Sequence, residues 1–202
     1  MHQHFEVIFK GEYDIKDIAF KTPPFILDIG ANMGAYIVWA KNRFPKCDIS
    51  AFEPCKTNYD ILLKNVRALN LDKLSVFNFG VSSDEENNIL YHSPSNPGAN
   101  SLYRQLAGNS TGSEIIKLMS PKELCRADII KVDTEGCEKD IIDNYLDFYT
   151  PTVVSYEWHR ASDGEYLFNL LKARGYTLRS GTVYTEQRGV YNWLYENSEK
   201  LS

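Results

Sequence analysis

The sequence predicts an α/β fold built on a mostly parallel sheet, and three observations carry that expectation. Short apolar runs suited to buried strands alternate with segments whose apolar residues recur at helical spacing. The first run, Phe25 to Ile29, passes through a glycine-bounded turn into a helix predicted over residues 35–44. Two later runs, one after Asp128 and one after Thr152, end in acidic residues. In open sheets of this kind ligands sit beyond the carboxyl ends of the strands, so these three strand ends are where function is expected.

The turn reads D-I-G-A-N-M-G from Asp28 to Gly34. A dinucleotide fingerprint has the form G-x-G-x-x-G/A, in which the middle glycine lets the backbone approach a pyrophosphate. Here the frame reads Gly30, Asn32, Ala35, so a side chain stands where the phosphates would go. Gly30 keeps the backbone geometry, Gly34 permits a close approach, and the Asn32 amide suits an amino or carboxylate group. A nucleoside without phosphates is favoured. The D-x-G-x-x-x-G form resembles the first motif of S-adenosylmethionine-dependent methyltransferases, with Asp28, Gly30, Asn32 and Gly34 as candidate cofactor-binding residues.

The second strand, through Ile49, Ala51 and Phe52, ends at Glu53-Pro54, about 20 residues beyond the glycine turn, where a ribose-binding acid belongs. The alternative for Glu53 is a surface glutamate ahead of a proline turn. A helix is predicted from Lys56 to Leu71 and a third strand from Leu74 to Val81. Residues 80–84, G-V-S-S-D, then fall where an adenine ring can lie along the backbone, with Ser82 or Asp84 bonding its exocyclic amine. S-S-D is also ordinary turn chemistry. Between Tyr91 and Pro121 the chain becomes rich in Gly, Ser, Asn and Pro and reads as mostly loop. Long loops in compact domains are often lids, so the segment around 93–120 is read as one, with Asn100, Ser101 and Tyr103 as candidates to cover cofactor or acceptor. A surface excursion is the competing reading.

The next buried strand ends in D-I-I-K-V-D-T-E-G-C-E, Asp128 to Glu138, before a helix predicted from Cys137 to Phe148. It is expected beside the first strand. Side-chain alternation turns Asp133 and Glu135 one way and Thr134 the other, although Thr134, Glu135 and Glu138 also suit helix capping. The strand Thr152 to Trp158 ends in S-Y-E-W-H, with Glu157 and His159 sharing a side. Asp133, Glu135, Glu157 and His159 thus converge in a constellation suited to proton transfer or to a hard cation. His159 is the expected base, Glu157 its orienting partner, and Asp133 positions the acceptor or the cofactor's amino end. His2, His4 and His92 lack comparable context. A helix over residues 164–174 precedes two strands, Tyr176 to Thr185 and Val190 to Tyr195, expected as an antiparallel closing pair suited to the sheet edge.

Composition is consistent with this reading. A chain of 202 residues with 43% hydrophobic content suits one domain spanning 1–202. No apolar run approaches a membrane span, and the start M-H-Q-H-F-E lacks the features of a signal peptide, so a cytoplasmic location is expected. Cys47, Cys55, Cys125 and Cys137 form no C-x-x-C pair and read as reduced thiols, with no metal expected. A net charge of −5 without a dense Lys/Arg cluster argues against nucleic acid as the main partner and for a small molecule or sugar.

With D-I-G-A-N-M-G, F-E-P at Phe52 to Pro54 and K-V-D-T-E-G-C-E at Lys131 to Glu138 all in place, the chain resembles the FkbM family of S-adenosylmethionine-dependent methyltransferases. N-S-L at Asn100 to Leu102 and E-W-H at Glu157 to His159 also fit the family's pattern. The resemblance implies a Rossmann-like methyltransferase fold: a seven-stranded, mostly parallel sheet with helices on both faces and an antiparallel C-terminal strand. It also implies an S-adenosyl-L-methionine cofactor and O-methylation of hydroxyls on sugars or other metabolites. The segment before the first strand is short for an N-terminal cap, which leaves acceptor recognition open. The rival readings are a metal-assisted enzyme using Asp133, Glu135, Glu157 and His159 as ligands, a noncatalytic cofactor-binding protein, and a dehydrogenase disfavoured by Asn32. Oligomeric state is not legible.

Overall fold

The computed structural model describes residues 12–13, 18–84, 86, 88–94, 96, 98–108, 110 and 112–195. The opening hexapeptide, with His2 and His4, lies outside them. Strands β1 (Phe25–Ile29), β2 (Asp48–Phe52) and β3 (Leu74–Phe77) alternate with helices α1 (Ala35–Arg43) and α2 (Lys56–Ala68). Four short strands follow: β4 (Gly80–Val81), β5 (Ile89–His92), β6 (Gly112–Ile115) and β7 (Leu118–Met119). The rest of the chain runs β8 (Ile129–Val132), α3 (Glu138–Leu146), β9 (Val153–Trp158), α4 (Ala161–Ala173), β10 (Tyr176–Thr185) and β11 (Arg188–Tyr195).

Seven of these strands form one sheet in the order β10-β11-β9-β8-β1-β2-β3. The run from β9 to β3 is parallel, and β11 is antiparallel to both of its neighbours. Every residue of β8 and β9 is buried, as crossover connections on both faces require. Alternation divides the sheet's side chains between two cores. Ile26, Ile49, Ala51, Ile129 and Val153 meet Tyr36, Ile37 and Ala40 of α1 and Leu62 of α2. On the opposite face Leu27, Ile29, Ile130, Val132 and Val154 meet Ile141, Ile142 and Tyr145 of α3 and Leu167 and Leu171 of α4. Helices on both faces, the expected neighbours of β1 and β8, and the seven strands all match the sequence reading.

Three details differ from it. The strand expected from Leu74 to Val81 breaks after Phe77, because the Asn78 side chain donates to the carbonyls of Glu53 and Pro54, both at 2.9 Å. Gly80–Val81 then pairs with β7 in a separate ladder. The stretch read as mostly loop contains β6, antiparallel to β5, and a bridge between Tyr91 and Ser101. Finally, the closing pair is not a simple edge: β11, whose Val190, Trp193 and Asn192 are buried, inserts between β9 and β10, leaving the largely exposed β10 outermost.

The turn from β1 into α1 is held against β2 by bonds from the Gly30 and Ala31 amides to the Phe52 carbonyl, at 3.0 and 2.9 Å. Gly30 has φ +80°, and a β-carbon there would overlap the Asp133 carbonyl oxygen. At Gly34, φ is +95° and a β-carbon would lie 2.6 Å from Leu62 Cδ1, so the close approach predicted there is to α2. Gly30→Ala combines a strained backbone with an unyielding main-chain overlap and is expected to cost about 3 kcal/mol or more of stability, measured by urea unfolding.

Candidate active site

Two cavities open at the carboxyl ends of the parallel strands. The inner one, about 610 Å³ including space open to solvent, is walled by Ile29, Phe52, Phe79, Gly80, Val81, Leu102 and Ile116, with Glu53 and Asn58 among its polar residues. The outer one, about 930 Å³ on the same measure, is lined by Tyr13, Tyr36, Lys131, Glu157, Tyr184 and Arg188. Gly30, Asn32, Gly98, Asp133 and Glu135 line both.

The glycine turn is built into the inner wall. Asn32 adopts φ +50°, and its amide donates to Glu53 Oε2 at 2.8 Å while the Cys55 amide donates to Oε1 at 2.9 Å. Burial nevertheless pushes the Glu53 carboxyl up to about 7 against those two bonds. The Asn32 side-chain oxygen is buried without a partner. Below the turn, Asp28 stands opposite Lys131 in the β1–β8 register, with Lys131 Nζ 3.1 Å from Asp28 Oδ1. Lys131 also donates to the Gly30 carbonyl at 2.7 Å. Burial raises the Asp28 pKa with Lys131 opposing it, and the surrounding acids hold the Lys131 ammonium charged despite its own burial.

The second acidic loop is organised by Glu138. Its fully buried carboxylate accepts from the Thr134 amide at 2.9 Å and from the Gly136 amide at 3.0 Å, and pairs with His159 Nδ1 at 3.1 Å. These contacts hold Glu135 in the left-handed region at φ +56°, uncommon for a residue with a side chain. Ser101 Oγ adds a bond to the Glu135 carbonyl at 2.6 Å, and the Arg160 guanidinium donates to the Gly136 carbonyl. His159 Nε2 lies 3.1 Å from Glu135 and 3.5 Å from Glu157, without a well-aligned hydrogen bond to either.

Electrostatics follow from this crowding. Burial alone would lower the His159 pKa, but Glu138, Glu135 and Glu157 together raise it well above the ordinary value, so the ring is an imidazolium at neutral pH. Burial works to raise both Glu138 and Glu157; the imidazolium together with backbone amides at Glu138, and together with the Arg188 guanidinium at Glu157, outweighs it. Asp133 behaves oppositely. Burial first, then the Glu157 charge, pushes its carboxyl up to about 8, because Lys131 is 3.9 Å away and compensates only partly.

Of the residues singled out from sequence, Gly30, Asn32, Glu53, Asn100, Asp133, Glu135 and Glu157 line a cavity. Strand alternation does bring Asp133 and Glu157 together on the outer one. The others are placed differently. Asp28 is sealed beneath the turn, and Gly34 packs on α2. Ser82 accepts from the Asp84 amide at 3.1 Å in a turn, leaving the cavity wall to Phe79, Gly80 and Val81. Ser101 is buried as a tie to Glu135, and Tyr103 lies under the Arg160 guanidinium at 4.6 Å. His159 sits behind Glu135 and Glu157 and lines neither cavity. Sequence reasoning assigned no site role to Lys131 or Arg188 and left Glu138 open between helix capping and function. A lysine inside an otherwise apolar strand was the available signal for Lys131; Arg188, which opens β11, offered none.

An open parallel sheet with one inserted antiparallel strand, a glycine turn after its first strand and a carboxylate after its second defines a Rossmann-like fold of the methyltransferase class. The chain belongs to the FkbM family: the model for the methyltransferase FkbM domain matches residues 28–178. It is 30% identical over 165 residues to methyltransferase sdnD of Sordaria araneosa, covering 64% of this chain and 62% of that protein. It is 26% identical over 162 residues to methyltransferase 1 of Beauveria bassiana (strain ARSEF 2860), covering 69% of this chain and 64% of that protein. The chain therefore spans a little under two thirds of the length of these curated relatives. Among solved structures, a methyltransferase FkbM from Methylobacillus flagellatus KT superposes with a TM-score of 0.60 at 16% identity, covering 87% of this chain and 45% of that one.

Glu138→Gln removes the charge that does most to keep His159 protonated. The His159 titration midpoint, followed by imidazole NMR signals, is expected to fall toward the ordinary histidine range as burial regains influence.

Proposed function

We propose that the protein is an S-adenosylmethionine-dependent methyltransferase acting on a hydroxyl of a sugar or other small metabolite. The observation that carries this reading is the meeting of the two cavities at Gly30, Asn32, Asp133 and Glu135: an apolar recess and an acid-lined recess share one wall. In this reading the inner cavity takes the adenosine and its amino-acid tail. Glu53 offers carboxylate oxygens for ribose hydroxyls, Phe79 to Val81 offer an apolar and backbone wall for the base, and the orphaned Asn32 oxygen can accept from an ammonium. Asn32 in its left-handed turn also occupies the place where a pyrophosphate would lie, in keeping with a cofactor lacking one.

When bound, S-adenosylmethionine supplies an electrophilic methyl group on a sulfonium. The chain's own residues hold an acceptor against it and take a proton from the hydroxyl. Asp133 is the base in this reading: it faces both cavities, and a carboxyl held near 8 is matched to proton transfer at neutral or mildly alkaline pH. His159, the base expected from sequence, is a buried cation engaged by three carboxylates, so its role is to position Glu135 and Glu157. Tyr13, Tyr36 and Tyr184 supply aromatic faces, and Glu157 and Arg188 polar groups, to a hydroxylated acceptor in the outer cavity. The chain works as one domain, with segment 93–120 as the cover: Gly98, Asn100 and Leu102 line the inner cavity, and Asn100 is tied by the Ser93 amide at 2.9 Å.

A second reading has one observation behind it. Ligand atoms of Asp133, Glu138 and His159 lie within 4.8 Å of one another, a grouping compatible with a metal-assisted methyltransferase. Activity surviving exhaustive chelation rejects that version.

Thermal unfolding with S-adenosylmethionine, S-adenosylhomocysteine, NADH and ATP tests the cofactor class, since a selective ligand raises apparent stability by mass action. Stabilisation by the first two alone is expected; stabilisation by NADH alone overturns the reading. Asp133→Asn should lower kcat by about 10²- to 10⁴-fold while S-adenosylhomocysteine binding persists in calorimetry. Turnover at the wild-type rate removes Asp133 as base.

The same substitution has a ligand-free signature. Because the folded Asp133 pKa, about 8, lies above its unfolded value near 3.8, wild-type stability is lost as pH rises between those values. The Tm advantage of Asp133→Asn should therefore grow from pH 5 to pH 8 and level off above it.

A further inference from the structure

We propose that Cys55, His92 and Glu114 form a zinc site fastening the β5–β6 hairpin to the turn that follows Glu53. One ligand atom from each lies within 4.8 Å of the others. His92 Nε2 and Glu114 Oε1 are 3.6 Å apart, close to the roughly 3.4 Å separating two ligands on a tetrahedral ion with bonds near 2.05 Å. A thiolate, an imidazole and a carboxylate form a donor set that favours zinc over magnesium or calcium, with the fourth position left for water.

The fold brings the three together from separate segments, which is why no C-x-x-C spacing announces the site. Leu90 pairs with Glu114 across the hairpin, so His92, two residues along β5, is the diagonal neighbour of Glu114 on the same face. Cys55 ends the E-P-C turn and is buried beside the start of α2. Burial first, then the Glu53 and Glu114 charges, favour its protonated form, while the Asn58 and Thr57 amides favour the thiolate. A dication against Glu114 reverses the sign of that local field, so binding displaces the thiol proton. Among the described residues no other cysteine stands in such a group. The competing account is an ordinary His92–Glu114 ion pair beside an inert thiol.

The test uses the full purified chain, stripped with chelator and titrated with Zn²⁺ against a chromogenic chelator. One equivalent bound per chain is expected. Cys55→Ser, His92→Gln and Glu114→Gln should each weaken it by about 100-fold or more, whereas Asp133→Asn, which alters the separate Asp133–Glu138–His159 group, should bind as wild type. Co²⁺ in place of zinc should show thiolate-to-metal charge-transfer absorption that Cys55→Ser abolishes. His92 and Glu114 are partly exposed, so their variants remain informative should Cys55→Ser fold poorly. No bound zinc in the wild type, undiminished binding in His92→Gln and Glu114→Gln, loss of binding in Asp133→Asn, or a cobalt complex without the thiolate band overturns the proposal.

Discussion

Everything at the strand ends depends on how closely two backbone segments approach: the turn at Gly30 rests directly on the main chain of Asp133. Only a residue without a β-carbon permits that contact, and it brings the cofactor-side turn and the acidic loop to one wall. Lys131 locks it from below by bonding the Gly30 carbonyl while facing Asp28. A buried ion pair of this sort gains little net stability over well-packed apolar residues, because desolvation offsets the Coulombic attraction. Its evident effect is positional: the ammonium fixes the turn's carbonyl, and the rest of the wall follows.

A second constraint acts on the same wall. Glu138 collects two backbone amides and the His159 imidazolium, and in doing so keeps Glu135 in an unfavourable backbone region. The loop can hold that geometry because Ser101 and Arg160 fasten its carbonyls from two other segments. The positive ring in turn helps keep Glu157 charged, and the Glu157 charge is what lifts Asp133 most beyond the effect of burial alone. The imidazolium's own charge works the other way on Asp133, so the raised carboxyl there rests on burial first and on Glu157 second.

Much of the fold was legible because its signals are local. Continuous apolar runs at β1, β8 and β9 marked strands buried on both faces, and their order followed from the alternation with helices. Period-two geometry was enough to place Asp133 and Glu157 on one cavity, and spacing was enough to place Glu53 at the glycine turn. What escaped depends on contacts between distant segments. Nothing in S-S-D shows that Ser82 closes a turn with Asp84, and nothing in N-S-L shows that Ser101 is a buried tie to a loop far along the chain. The charge on His159 is set by three carboxylates whose convergence requires a left-handed Glu135, which no propensity announces. Insertion of β11 was hidden too, since aromatic and β-branched residues suit an inner strand and an edge equally well.

That insertion has a bearing on biosynthesis. Every side chain of β9 is buried in the finished sheet, yet one whole flank of its main chain finds hydrogen-bonding partners only in β11, three elements later. While translation is between those points, the emerging polypeptide displays a long, apolar, half-paired ribbon of the sort that recruits chaperones or sticks to its neighbours. Completing the sheet is therefore a late event, and the exposed β10, made earlier, has to wait at a distance for the strand that will join it to the rest.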